Sequence, residues 1–180
     1  HKAEHLGEAC DVPQEICLSL NGGAEFIIRR GFGREIDEEQ ALSIVTDARK
    51  LGLVQIADNV QNEPAYVCNC CACCCEQLSA INDFGLKAVN PSGFEPHYNP
   101  DVCKGCSRCS RACPIAAIAM TPARTGGKRK NELRPDFDSE LCIGCGVCAT
   151  TCPQGGIRME RRTQPSHVPQ NTIERKQTVQ

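Results

Sequence analysis

Apolar side chains return at helical spacing most clearly between Asp37 and Gly52, where Ala41, Leu42, Ile44, Val45, Ala48 and Leu51 fall on one face. Asp37 is placed as the N-cap, Gln40 completes a capping-box pair, Glu38 and Glu39 suit the positive end of the helix dipole, and Gly52 stops the helix. A shorter helix is predicted over residues 24–30, after the turn Asn21-Gly22-Gly23 and before the stops Gly31 and Gly33. Residues 53–56 and 65–67 read as two short strands around a polar turn from Asp58 to Pro64. A helix over 76–84 closed by Gly85 follows, and Asn90-Pro91-Ser92-Gly93 is a linker. Beyond Arg162 the pattern has no period, so residues 161–180 read as a polar tail that is disordered or lies along a partner.

Helix, helix and hairpin over residues 1–90 suggest a small, mainly helical, winged-helix-like domain. Units of that shape often bind DNA. Here Arg49 and Lys50 stand against Asp37, Glu38, Glu39 and Asp47, which is the wrong sign for a phosphate backbone, so the domain reads as a structural platform and no nucleic-acid partner is expected.

The cysteines change the picture. Of 180 residues, 16 are Cys, while Trp is absent and aromatics are 4%. Cys103, Cys106, Cys109 and Cys113 stand as C-x2-C-x2-C-x3-C before Pro114, and Cys142, Cys145, Cys148 and Cys152 repeat the word before Pro153. Shifted by 39, Asp101-Val102 falls on Glu140-Leu141, Ile118 on Ile157 and Met120 on Met159, which predicts two copies of loop, helix and short strand related by a pseudo-twofold. Zinc sites also take four thiolates, but they bring cysteines as separated pairs rather than as a triplet plus a fourth before proline. The double word resembles the two-cluster bacterial ferredoxins over about residues 94–160, in an α+β chain. The resemblance implies that three thiolates of each word hold one [4Fe-4S] cube and the fourth reaches the other. One cluster then takes Cys103, Cys106, Cys109 and Cys152, the other Cys142, Cys145, Cys148 and Cys113. Gly105 and Gly144 are expected to let the backbone approach the inorganic core, and Pro114 and Pro153 to turn the chain after the crossing ligand.

Upstream, Cys68-Asn69-Cys70-Cys71-Ala72-Cys73-Cys74-Cys75 puts six thiols in eight residues, more than packing needs. Adjacent cysteines rarely meet disulfide geometry, so the run reads as metal ligands rather than a secreted scaffold. Four of the six suit a third cube, or two of them pair with Cys10 and Cys17, or the run holds a larger non-cubane cluster; sequence leaves these open. With Cys10, this run and the ferredoxin words, residues 1–160 resemble a group of iron-sulfur proteins of anaerobic bacteria that carry a C-N-C-C-x-C-C-C motif. In similar sequences a C-x-C-R segment precedes the residues matching His1-Lys2, which implies two more thiols beside Cys10 and Cys17.

Charge divides along the chain. Residues 1–100 carry 15 Asp and Glu against 7 Lys and Arg, net -8, and residues 101–180 carry 7 against 13, net +6. An oxidised cube with its four thiolates adds about -2, so the basic half offsets its clusters. Lys104, Arg108 and Arg111 are candidates for tuning potential. Arg124, Lys128, Arg129, Lys130 and Arg134, in the insert from Thr121 to Asp138, form a solvated loop or dock an acidic redox partner. Reduced thiols and oxygen-sensitive clusters point to the cytoplasm, and no signal peptide or membrane span is read. The chain starts at His1, which leaves its native start open. With so thin a core, the apo-protein is expected to be largely unfolded.

The expected function is one-electron transfer through two or more [4Fe-4S] clusters, as a carrier or the small subunit of a larger oxidoreductase. A reductive enzyme with chemistry on the Cys68–Cys75 run is the alternative, and a redox-sensing regulator a further one. No Gly-rich nucleotide loop, flavin motif or Ser/His/Asp pattern names a catalytic residue, and His97 beside Tyr98 reads as structural or exposed.

Overall fold

The alternating stretch Val54-Gln55-Ile56-Ala57 forms strand β2, and its burial alternates with the sequence, Val54 and Ile56 inward, Gln55 and Ala57 outward. The computed structural model describes residues 7, 10–123 and 133–178. The chain divides into two units, residues 1–74 with 167–180, and residues 75–166.

In the first unit β2 (Val54–Ala57) pairs antiparallel with β3 (Tyr66–Cys70), Val54 opposite Cys70 and Ala57 opposite Val67. A two-residue strand that the sequence does not announce, β1 (Leu18–Ser19), pairs with the other edge of β3, giving the order β1-β3-β2. Strand β3 runs three residues past its predicted end, to Cys70. Helix α1 (Asn21–Arg29) begins three residues before its predicted start.

Helix α2 (Glu38–Lys50) carries the full capping box: the Gln40 amide donates to Asp37 Oδ1 at 2.8 Å and the Asp37 amide to Gln40 Oε1 at 3.3 Å. Its buried face is narrower than the apolar periodicity predicts. Ala48 is buried, whereas Leu42 and Leu51 are 58% and 54% exposed. A sheet of three short strands covers only the strip of helix centred on Ala48, against β2.

The last segment of the chain, read as a tail without regular structure, contains helix α6 (Thr172–Thr178) and belongs to this unit. Asn171 caps the helix by accepting the Ile173 and Glu174 amides. The Gln61 and Asn62 amides donate to the Pro169 and Gln170 carbonyls at 2.9 Å, and Arg175 donates to the Asp58 carbonyl at 2.6 Å. Sequence periodicity is blind to this order because backbone pairing and a cap, rather than an apolar face, supply it.

The second unit opens with α3 (Glu76–Phe84), ended by Gly85 in the left-handed region. Asn82 on this helix donates to the Pro114 carbonyl at 3.0 Å. Four strands and two short helices follow: β4 (Phe94–Tyr98), α4 (Arg108–Ala112), β5 (Ile118–Pro122), β6 (Leu133–Phe137), α5 (Val147–Thr151) and β7 (Ile157–Arg161). Every element of the first half reappears 39 residues later. The halves interlock, since β4 pairs with β7 and β5 with β6, so each two-stranded sheet takes one strand from each half. Ile118, Ile157, Cys109 and Cys148 form the buried centre, with Tyr98, Phe137, Met120 and Met159 packed against it. This is a mixed helix-and-strand architecture, α+β in class. Among the described residues, no helix is long and apolar enough to cross a membrane.

Candidate metal centres

Each half launches its cysteine loop by the same turn. The Asp101 amide donates to Asn99 Oδ1 and the Cys103 amide to the Asn99 carbonyl; 39 residues on, the Glu140 amide donates to Asp138 Oδ1 and the Cys142 amide to the Asp138 carbonyl. Asn99 and Asp138 were not singled out from sequence, although short polar residues two positions before the repeated acidic-apolar pair are the available signal. The third cysteine of each word sits in a short helix entered from a left-handed residue, Ser107 in one half and Gly146 in the other. The fourth follows the helix in extended conformation.

Two cavities result. One is lined by Cys103, Cys106, Cys109 and Cys152. The other is lined by Cys142, Cys145, Cys148 and Cys113. Each therefore receives three thiols from one word and the fourth from the other. Apolar residues close the walls in matched pairs: Met120 and Pro135 at the first cavity, Met159 and Pro96 at the second. These prolines and methionines face each other across their sheets, Met120 opposite Pro135 and Pro96 opposite Met159.

The crossing thiols accept backbone hydrogen bonds in matched fashion. The Ala117 amide donates to Cys113 Sγ at 3.3 Å and the Gly156 amide to Cys152 Sγ at 3.3 Å. Such donors favour a thiolate over a thiol. Burial works the other way: it pushes the Cys109, Cys113 and Cys145 thiols up, and Cys148 up to about 12. Those four thiols, Cys109 at the first cavity and Cys113, Cys145 and Cys148 at the second, are thus reluctant to ionise unless a cationic core joins them and the protons leave. That donor set, with matched N-H groups on sulfur, fits an iron-sulfur cluster.

The loop glycines also lie against backbone of the opposite half. Gly105 and Gly144 have φ of +64° and +69°, and an added Cβ would strike the carbonyl of Leu133 and of Phe94 respectively. The missing side chain makes room for the neighbouring strand of the opposite half. Two arginines brace the loops from outside: Arg134 donates to the Cys103 carbonyl at 3.1 Å, and Arg162 to the Cys142 carbonyl at 2.7 Å. Arg134 thus lies on β6 rather than in a solvated loop, while Arg124, Lys128, Arg129 and Lys130 lie outside the described residues. Lys104 and Arg108 line the first cavity and are exposed, as is Arg111. His97 lies exposed on β4, 3.5 Å from Glu95 and 4.0 Å from Glu160, and lines neither cavity.

The repeat loses its symmetry at a cost in two places: Ser107 has φ of +59° where the second half has Gly146 at +78°, and Ala116 is the other. Ala116 has φ of +53° where the second half has Gly155 at +59°. A left-handed alanine costs about 1–2 kcal/mol, of which a glycine returns about half after its greater freedom in the unfolded chain. Ala116 is exposed and loses no packing on substitution. Ala116→Gly is expected to stabilise the protein by about 0.5–1 kcal/mol, raising the anaerobic melting temperature by a few degrees in calorimetry.

The upstream run is split by the fold. Cys68 and Cys70 lie on β3, opposite Ile56 and Val54, and so share the inward face of the sheet. Cys75 is the N-cap of α3. Cys71, Cys73 and Cys74 occupy the turn between, and Cys10 joins them: Cys10 Sγ is 3.4 Å from Cys71 Sγ and 4.0 Å from Cys74 Sγ, and Cys73 Sγ is 3.2 Å from Cys71 and 3.8 Å from Cys74. Cys17, Cys68, Cys70 and Cys75 are not part of this foursome. Asn69, buried between Cys68 and Cys70, donates to the Ile16 carbonyl at 2.6 Å and ties the N-terminal segment to the sheet. The Val12 amide, and then the neighbouring thiols, hold the Cys10 thiol below its ordinary range, whereas hydrogen bonding with Cys71 and burial push Cys73 up to about 12.

Residues 102–156 match the family described as a 4Fe-4S dicluster domain. No curated protein matches the chain. The match covers the two cysteine words and the elements between them, so the second unit contains an iron-sulfur, ferredoxin-like domain.

Proposed function

We propose that this protein transfers single electrons through two [4Fe-4S] clusters, one held by Cys103, Cys106, Cys109 and Cys152 and one by Cys142, Cys145, Cys148 and Cys113. The observation that carries the reading is the pair of cavities, each lined by three thiols of one word and the crossing thiol of the other. When bound, each cluster supplies reversible one-electron chemistry. The chain fixes the two sites against each other through the interlocked sheets. The matched amides on Cys113 and Cys152 donate to sulfur, which favours the reduced form, and the Pro-Met pairs make part of each wall apolar.

Beside the first cavity, the exposed Lys104 and Arg108 suit an acidic redox partner, either an enzyme that this protein serves as a diffusible carrier or a larger oxidoreductase that holds it as a small subunit. The first unit, with acidic residues at the head of α2, serves as a winged-helix-like platform rather than a reader of nucleic acid. Thiol chemistry of this kind belongs in the reducing cytoplasm.

Anaerobic protein titrated with a calibrated reductant and then with an oxidised dye tests the proposal. Two electrons per chain taken up and returned, with matching bleaching and recovery of the visible absorption, are expected. Absence of reversible uptake would remove electron transfer as the function.

A further inference from the structure

Cys10, Cys71, Cys73 and Cys74 come from chain segments more than 60 residues apart, yet their four Sγ atoms all lie within 4.8 Å of one another. Among the described residues they alone form such a group, although eight other cysteines line the two cavities. The separation is informative. A cube gives each thiolate its own iron and therefore spreads the sulfurs, whereas four thiolates on one tetrahedral ion at about 2.3 Å stand about 3.8 Å apart. Four of the six sulfur separations, 3.4, 4.0, 3.2 and 3.8 Å, bracket that value, and all six are within 4.8 Å. They are also far too long for a disulfide, whose sulfurs lie about 2 Å apart.

We propose that Cys10, Cys71, Cys73 and Cys74 form a closed tetrathiolate site for a single thiophilic divalent ion, zinc or iron, distinct from the cluster sites of the second unit. Four thiols converging on a partly exposed turn have no packing purpose, because the apolar cysteines of this unit, Cys68 and Cys70, already face inward on β3. The fold also accounts for how the distant ligand arrives. Pairing of Leu18 with Val67, and the hydrogen bond from Asn69 to the Ile16 carbonyl, return the N-terminal segment alongside the turn that follows β3. A unit with a three-stranded sheet and few fully buried side chains gains a cross-link between its N-terminal segment and its sheet.

The test is metal analysis of the full chain purified without oxygen, by mass spectrometry of all metals together with acid-labile sulfide. Labile sulfide reports the cubes, and metal in excess of sulfide reports the single-ion site, so the two proposals fail separately. The expected result is one zinc or one iron per chain beyond the sulfide count. Zinc X-ray absorption would show four sulfurs at about 2.3 Å, or a high-spin ferric EPR signal would appear on oxidation if the ion is iron. Cys10→Ser and Cys74→Ser should each abolish the excess ion and leave sulfide unchanged, while Cys17→Ser should keep both. No excess ion in the wild-type protein would overturn the proposal. So would about four extra irons with four extra sulfides, which would place a third cube there.

Discussion

Cys148→Ser loses at least one whole cluster, so bound iron and labile sulfide fall by about half or more, and the second unit loses its thermal transition at ordinary temperature. Cys148 is 8% exposed and sits with Cys109, Ile118 and Ile157 in a buried cluster to which both halves contribute. Serine offers a hard alcohol that stays protonated, and iron-sulfur chemistry selects soft thiolate. The damage spreads because the word containing Cys148 also supplies Cys152 to the other cavity. Full iron content and an unchanged EPR spectrum in this variant would show that Cys148 is not a ligand.

Gly144→Ala is expected to destabilise the protein by about 3 kcal/mol or more, in two parts. The residue has φ of +69°, which costs an alanine about 1–2 kcal/mol. The new methyl also meets the Phe94 carbonyl, and that carbonyl belongs to β4, whose pairing with β7 holds the sheet beside the second cavity. Gly85→Ala is the control, since Gly85 has φ of +64° and nothing within 4 Å of an added Cβ. Anaerobic melting should show Gly85→Ala losing about 1 kcal/mol and Gly144→Ala losing much more. Equal losses would mean that the strand yields and that the close approach is not structural.

The domain around the two cysteine words was legible because its chemistry fixes spacing. A repeat of 39 residues in ligands, apolar residues and turn residues can be written only one way, and the α2 capping box is equally local. What sequence hid was long-range or backbone-borne. Cys10 has no local sign of its partners, because β1 is only two residues long and the Asn69 hydrogen bond spans 53 positions. The run Cys68–Cys75 looked like one feature, yet a strand, a turn and a helix cap divide it. Leu42 and Leu51 carried the helical period but lie beyond the reach of a small sheet. Gly105 and Gly144 are plain in the sequence, whereas the strand carbonyls of Leu133 and Phe94 that lie against them are not.

The most direct test of the two-cluster account is labile sulfide and iron per chain on protein purified without oxygen, with EPR after dithionite reduction. About eight sulfides, with eight irons or nine if the single-ion site holds iron, and a spectrum broadened by coupling between two nearby reduced clusters, are the predicted result. Four sulfides with an uncoupled signal, or thiolate-bound zinc without sulfide in the cavities of the second unit, would contradict it.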